Sequence, residues 1–280
     1  MFQRISNSWS LVKASASVLS ADKELMVFPA ISAVLSLMVL ITFAVPSVMA
    51  GLFDGARHSG FPAAGYAVAF VFYVVQYFVI FFCNTALVGA ALIRLRGGDP
   101  TVADGFRIAT SRVVPILGYA LIAATVGIIL RAISERSGWI GKLVVSFLGV
   151  AWSIATFLVV PVLAAENVGP MEAVQKSSAY LRKTWGEQIV GNAGMGTVFG
   201  LLSMLIAMIG IGLFIVAAMM QSVSLMVAAG AGLVISLMAV TLVSATLSGI
   251  YAAALYRYAS EGDAGAFFSG DMVRSAFRAK

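Results

Sequence analysis

PVLAAENVGPMEAVQKSSAYLRKTWGEQIVG, residues 161–191, is the longest polar interruption in a chain that is otherwise almost continuously apolar. One apolar run ends at Glu166-Asn167, and Gly169-Pro170 starts a helix. Proline is tolerated at a first helical position because its missing N–H would have no intrahelical partner there. Val174, Ser178, Leu181, Trp185 and Ile189 then recur at helical spacing. Glu172, Lys176, Arg182, Lys183 and Glu187 fall mostly on the other side. The pattern predicts an amphipathic helix over 169–188, between two membrane spans, with its apolar face in the acyl boundary. A solvated loop helix is the plainer alternative.

What surrounds this stretch sets the class. Of 280 residues 61% are hydrophobic and 11% charged, and the mean hydropathy is +0.99. Soluble domains run near 45–50% apolar and about 25% charged. The expected fold is therefore all-α, a polytopic bundle of six transmembrane helices with amphipathic interfacial helices on the cytoplasmic side. A β-barrel would need alternating segments of about ten residues, and the apolar runs here are long and unbroken. The net charge of +6 does not point to nucleic acid, because the basic residues sit at the edges of apolar runs, where they orient spans. Cys83 is the single cysteine and His58 the single histidine, which removes an intrachain disulfide and any Cys- or His-based metal or catalytic cluster. The first apolar run begins at Leu25 and exceeds a signal-peptide core.

The whole chain reads as one six-span domain, 1–280. Residues 1–24 form an N-terminal interfacial helix with Phe2, Ile5, Trp9, Val12, Ala16 and Leu19 on one face. Spans are expected near 25–53, 61–93, 113–133, 140–165, 189–220 and 223–256, each at or above the ~20 residues a crossing needs. A second interfacial helix is expected over 99–112, with Asp99 as N-cap, Pro100 first and Val102, Phe106, Ala109 and Val113 as its apolar stripe. Residues 257–280 form a cytoplasmic tail. Asp99-Pro100 and Gly169-Pro170 open their helices alike, which fits either a weak threefold repeat or shared helix-start chemistry.

Sidedness follows from the positive-inside rule. With six spans both termini share a side, and that side collects fourteen Lys and Arg against four on the other (Arg57, Arg131, Arg136, Lys142). Both termini and all the amphipathic segments are thus expected in the cytoplasm.

No catalytic residue, cofactor site or metal site is expected. Intramembrane ionisable residues mark proton relays and substrate paths, and the chain has essentially none. Glu166 and Lys142 come closest. Glu166 is expected to meet Arg112 or Lys183, to face water, or to take up a cation or proton. Gln76 and Asn84, in an aromatic second span, either bond across helices or line a polar path with Glu166. Gly196/Gly200, the stripe Thr241, Ala245, Gly249, Ala253, and Ala228, Gly232, Ser236 permit close helix approach, within one bundle or in a homo-oligomer. Arg107, Arg112, Lys176, Arg182, Lys183 and Trp185 are the candidate lipid- or partner-binding residues.

Four stretches carry a resemblance: ADKELMVFP (21–29), RLRGGDPTVADGFRIA (94–109), PVLAAENVGPMEAVQKSSAYLRKTWGEQIVGN (161–192) and LYRYASEGDAGAFFSGDMVRSAFRAK (255–280). They resemble a family of bacterial integral membrane proteins defined as a domain of unknown function. The stretch after the fourth span is similar, more distantly, to six-span membrane domains of glycerophosphodiester phosphodiesterase-like proteins. The resemblance implies a bacterial inner-membrane location and one six-span domain; the soluble catalytic barrel that would carry phosphodiesterase chemistry is missing, so no activity transfers from it. The resulting expectation is a non-enzymatic scaffold or lipid- and partner-interacting module that contacts anionic headgroups and an unidentified protein partner. The alternative is a transporter or channel for a small neutral or lipidic solute.

Overall fold

The computed structural model describes residues 2–49, 63–185, 194–263 and 267–268, with side chains at 12–49, 65–182, 198–263 and 267–268. Among these residues every regular element is helical. In chain order they are α1 (Phe2–Ala21), a 3-10 turn (Lys23–Met26), α2 (Val27–Met49), α3 (Ala63–Leu95), α4 (Val102–Ser111), α5 (Val113–Arg136), α6 (Trp139–Ala155), α7 (Val159–Ala165), α8 (Pro170–Trp185), α9 (Gly194–Met219) and α10 (Val223–Glu261). Six spans are long and apolar enough to cross a membrane, α6 and α7 together forming the fourth. At 33 and 39 residues, α3 and α10 are about 50 and 58 Å long, well over the ~30 Å hydrocarbon core.

In the two longest helices burial is concentrated toward one end. Along α3, Thr85–Leu92 are all buried, whereas no residue from Tyr66 to Phe82 is. The same change occurs along α10, where nothing is buried from Val223 to Ala245 and Ile250–Tyr256 are buried throughout. The central helix is α3, which packs on α2, α4, α5, α7 and α10. Small residues let these helices approach: a Cβ on Gly249 of α10 would stand 2.4 Å from Leu87. That contact assigns Gly249 to packing within the bundle, while Thr241 and Ala245 of the same stripe are exposed. Gly200 and Gly232 have nothing within 4 Å, and the side chains around Gly196 lie outside the described residues.

Helices α1, α4 and α8, expected as interfacial segments, are part of this packed end. For α4 the N-cap is Thr101, not Asp99: its hydroxyl accepts from Asp104 N–H, and the Asp104 carboxylate accepts from Thr101 N–H in return. Thr101 wins because a capping box satisfies two orphan donors at once. Gly105 and Ala109 are buried against α3, and Phe106 packs on Phe28 and Phe82. In α1 the buried face is Val12, Ala14, Ser15 and Val18, turned toward α9 and α10; Ala16, expected on that face, is exposed. The apolar side of α8 is likewise rotated by one residue. Ala173, Ser177 and Leu181 are buried, and the Val174/Ser178 line is only half-buried. In α8 the small Ala173 and Ser177 form the contact face, whereas a reading weighted by hydrophobicity follows the larger Val174.

The fourth span, expected to be continuous, is broken at Thr156–Leu158. Pro161 has no N–H to offer the carbonyl of Phe157 one turn earlier, so the ladder fails there. Phe157 N–H turns back to Ile154 O at 3.1 Å, and Val159 N–H to Thr156 O at 3.1 Å.

Candidate functional site

The polar groups of the packed end form two clusters. The first joins the start of α2 to the ends of α3 and α10. Asp22, 5% exposed, accepts from Arg94 Nη2 at 3.4 Å, and Arg94 also reaches Asp99. Glu24 accepts from Val102 N–H at 3.3 Å, holding the first turn of α4. Arg257, 13% exposed, donates to the Leu95 carbonyl, to Glu261 at 3.1 Å and to Asp263 at 2.7 Å; Arg96 closes the ring with Glu261 at 2.6 Å. AALIRL (90–95) and AALYRY (253–258) thus lie side by side with equivalent arginines paired to nearby aspartates.

The second cluster centres on Glu166. Its Oε2 accepts from Lys176 Nζ at 2.7 Å, and its Oε1 from Tyr180 and Tyr256 hydroxyls, each at 2.9 Å. Lys176 also pairs with Glu172 at 3.1 Å. Of the expected partners, Arg112 instead donates to Asn167 Oδ1, and the Lys183 side chain lies outside the described residues, as does that of Trp185. Partial burial pushes the Glu166 carboxyl up. The bonds from Lys176, Tyr256 and Tyr180, with the Lys176 charge, outweigh that and hold it below the ordinary carboxylate value. The same contacts raise Lys176. A lowered folded-state value means that this cluster stabilises the protein fully above the unfolded carboxyl value of about 4.3, and loses that contribution as pH falls through the folded value. Thermal unfolding in detergent should therefore show a drop in Tm on acidification below that point. Glu166→Gln should flatten the acid limb and cost about 1.5–3 kcal/mol at neutral pH, the range for hydrogen bonds to a charged group. An unaltered acid limb in the variant would remove Glu166 from this role.

Among the other expected positions, Arg107 is 79% exposed and pairs with Asp104 at 3.1 Å. Arg182 is exposed, with no ion pair among the described residues. Asn84 is half-buried on α3, with no side-chain hydrogen bond among the described residues. Gln76 buries its Oε1 with no partner among the described residues. Residues 63–267, close to three quarters of the chain, match the family of unknown function DUF6159. The chain belongs to that family. The matched stretch holds the Glu166 cluster, both arginine-bearing helix ends and the break in span four. No curated protein matches the chain.

Two residues that matter were not singled out from the sequence. Ser177 is fully buried and fills the break in span four: its hydroxyl donates to Ala155 O at 2.7 Å and accepts from Leu158 N–H at 3.0 Å. Asp22 falls within the segment expected as an interfacial helix, yet it is the buried partner of Arg94. The available signal for Asp22 was an arginine ending an apolar run with no nearer buried acid. For Ser177 there was none.

Proposed function

We propose that this DUF6159 protein is a non-enzymatic protein of the bacterial inner membrane, with both termini cytoplasmic, whose polar end engages anionic lipid headgroups. One observation carries the reading. Helices α4 and α8 spend their apolar faces on the protein's own spans, leaving Arg107 and Arg182 exposed at the end richest in basic residues. Arg112, at the α4–α5 junction, adds a third cation, while Lys176 is largely neutralised by Glu166 and Glu172. These helices are therefore braced platforms for charge more than acyl-chain anchors. Each exposed cation near an anionic leaflet contributes ~1 kcal/mol.

Native mass spectrometry of protein extracted from bilayers of mixed phosphatidylethanolamine and phosphatidylglycerol tests it. Arg107→Gln/Arg112→Gln/Arg182→Gln should reduce retained phosphatidylglycerol by about tenfold or more, with retained phosphatidylethanolamine unchanged. Equal phosphatidylglycerol retention by variant and wild type would defeat the reading.

A second reading, passage of a small neutral or lipidic solute, is favoured by Gln76, whose buried carbonyl oxygen has no donor among the described residues, in the loosely packed half of α3.

A further inference from the structure

Span four parts at Thr156–Leu158, between α6 and α7. The seven residues of α7 separate that break from Glu166, so it lies about 10 Å inside the polar end. Broken backbone at that depth needs partners from the protein or from water, since hydrocarbon offers none. Phe157 N–H turns to Ile154 O and Val159 N–H to Thr156 O. The Ala155 carbonyl, the Leu158 N–H and the Phe157 carbonyl thereby lose their helical partners. Ser177 meets the first two, donating to Ala155 O and accepting from Leu158 N–H. The Phe157 carbonyl has no donor among the described residues, because the residue one turn later is Pro161.

Other hydroxyls beside the break have partners: Thr156 Oγ1 donates to Trp152 O at 2.8 Å, and Tyr119 hydrogen-bonds Thr156. Tyr251 of α10 differs. It is 5% exposed, its ring lies 6.5 Å from the ring of Phe157, and its buried hydroxyl has no partner among the described residues. A buried donor and a buried acceptor, each unpaired, are both costly, and native structures seldom keep either. Here the two stand on neighbouring residues and are of complementary type, an O–H and a C=O.

We infer that a water molecule is held at the break, accepting from the Tyr251 hydroxyl and donating to the Phe157 carbonyl. Such a bridge is nearly as favourable as a direct hydrogen bond. It completes the bonding that Ser177 leaves unfinished, so that α6, α7 and α10 meet through one serine and one internal water. A neutral ligand suits the site. Its groups carry no charge, and Glu166 is committed to Lys176, Tyr180 and Tyr256. The inference is independent of lipid binding at the polar end.

Radiolytic labelling of the full-length protein in nanodiscs reads the site directly, because radiation makes hydroxyl radicals from a bound water where bulk water does not reach. Tyr251 should be labelled well above Phe28, an equally shielded ring that is 1% exposed. Equal protection of the two rings would overturn the inference. Tyr251→Phe supplies a second readout. Losing a water-bridged hydrogen bond should lower the folding constant, measured by steric trapping in bicelles, about two- to tenfold. A dry, unpaired hydroxyl predicts the reverse, since removing it lifts a penalty; an unchanged or raised constant therefore also overturns the inference. On a Pro161→Ala background residue 161 can donate to Phe157, and the loss caused by Tyr251→Phe should shrink toward none. A loss of the same size there would place the partner of Tyr251 elsewhere and remove the bridge.

Discussion

Replacing Arg94 with glutamine is expected to cost about 3–5 kcal/mol of unfolding free energy, the usual effect of stripping one partner from a buried ion pair. Asp22 is the reason. At 5% exposure its carboxylate has little water, and Arg94 is the cation beside it. The Arg94–Asp99 contact contributes little to the loss, because Asp99 is 92% exposed and an exposed pair is worth at most about 1 kcal/mol. Steric-trap or SDS unfolding in bicelles measures the change. The double variant Asp22→Asn/Arg94→Gln should recover much of the loss, since two neutral amides replace one abandoned charge. A single-variant loss under about 1 kcal/mol would show that water reaches Asp22 after all.

Gly105→Ala should be nearly as severe, about 3 kcal/mol, at the upper end of what overpacking costs. A Cβ there would stand 2.4 Å from Cζ of Phe28 and 2.7 Å from the Ala86 carbonyl oxygen. The phenyl ring can tilt; the α3 backbone cannot, so α4 must move off α3 and weaken its Phe106 contacts. The same substitution at Gly200 or Gly232, where nothing lies within 4 Å, should be neutral or slightly stabilising, since alanine favours a helix over glycine by up to about 1 kcal/mol. A common effect at all three positions would mean that backbone propensity, and not the α3–α4 contact, governs Gly105.

The spans were legible because crossing a bilayer demands length and apolarity, and both are local properties of sequence. Leu25 to Phe53, without a charge, has no other reading. The amphipathic segments were legible as helices for the same reason, although their buried faces were not. Which side of α8 packs depends on the approach of α5, α7 and α10, and this selected Ala173 and Ser177 over the larger Val174. Thr101 was hidden by the more familiar Asp-Pro pair just before it. Glu166 was recognised as a candidate, but its partners are 10, 14 and 90 residues away. The nearest two depend on the turn between α7 and α8, and Tyr256 on the register of the last span. Pro161 was visible, and its consequence was not. A proline in an apolar run can kink, break or cap, and only the buried Ser177 shows that here the helix parts.

The side-by-side placement of AALIRL and AALYRY has a consequence for biosynthesis. The Leu95 carbonyl receives its guanidinium from a residue 162 positions later in the chain. Until α10 has left the ribosome and entered the bilayer, the buried stretch of α3 has no cover on that side and Arg96 has no Glu261. The first five spans must therefore wait, inserted but not consolidated, for the sixth. A nascent chain stalled before Val223 would present that uncovered flank to the insertion machinery or to quality-control proteases, and completion of the last helix is the event that withdraws it.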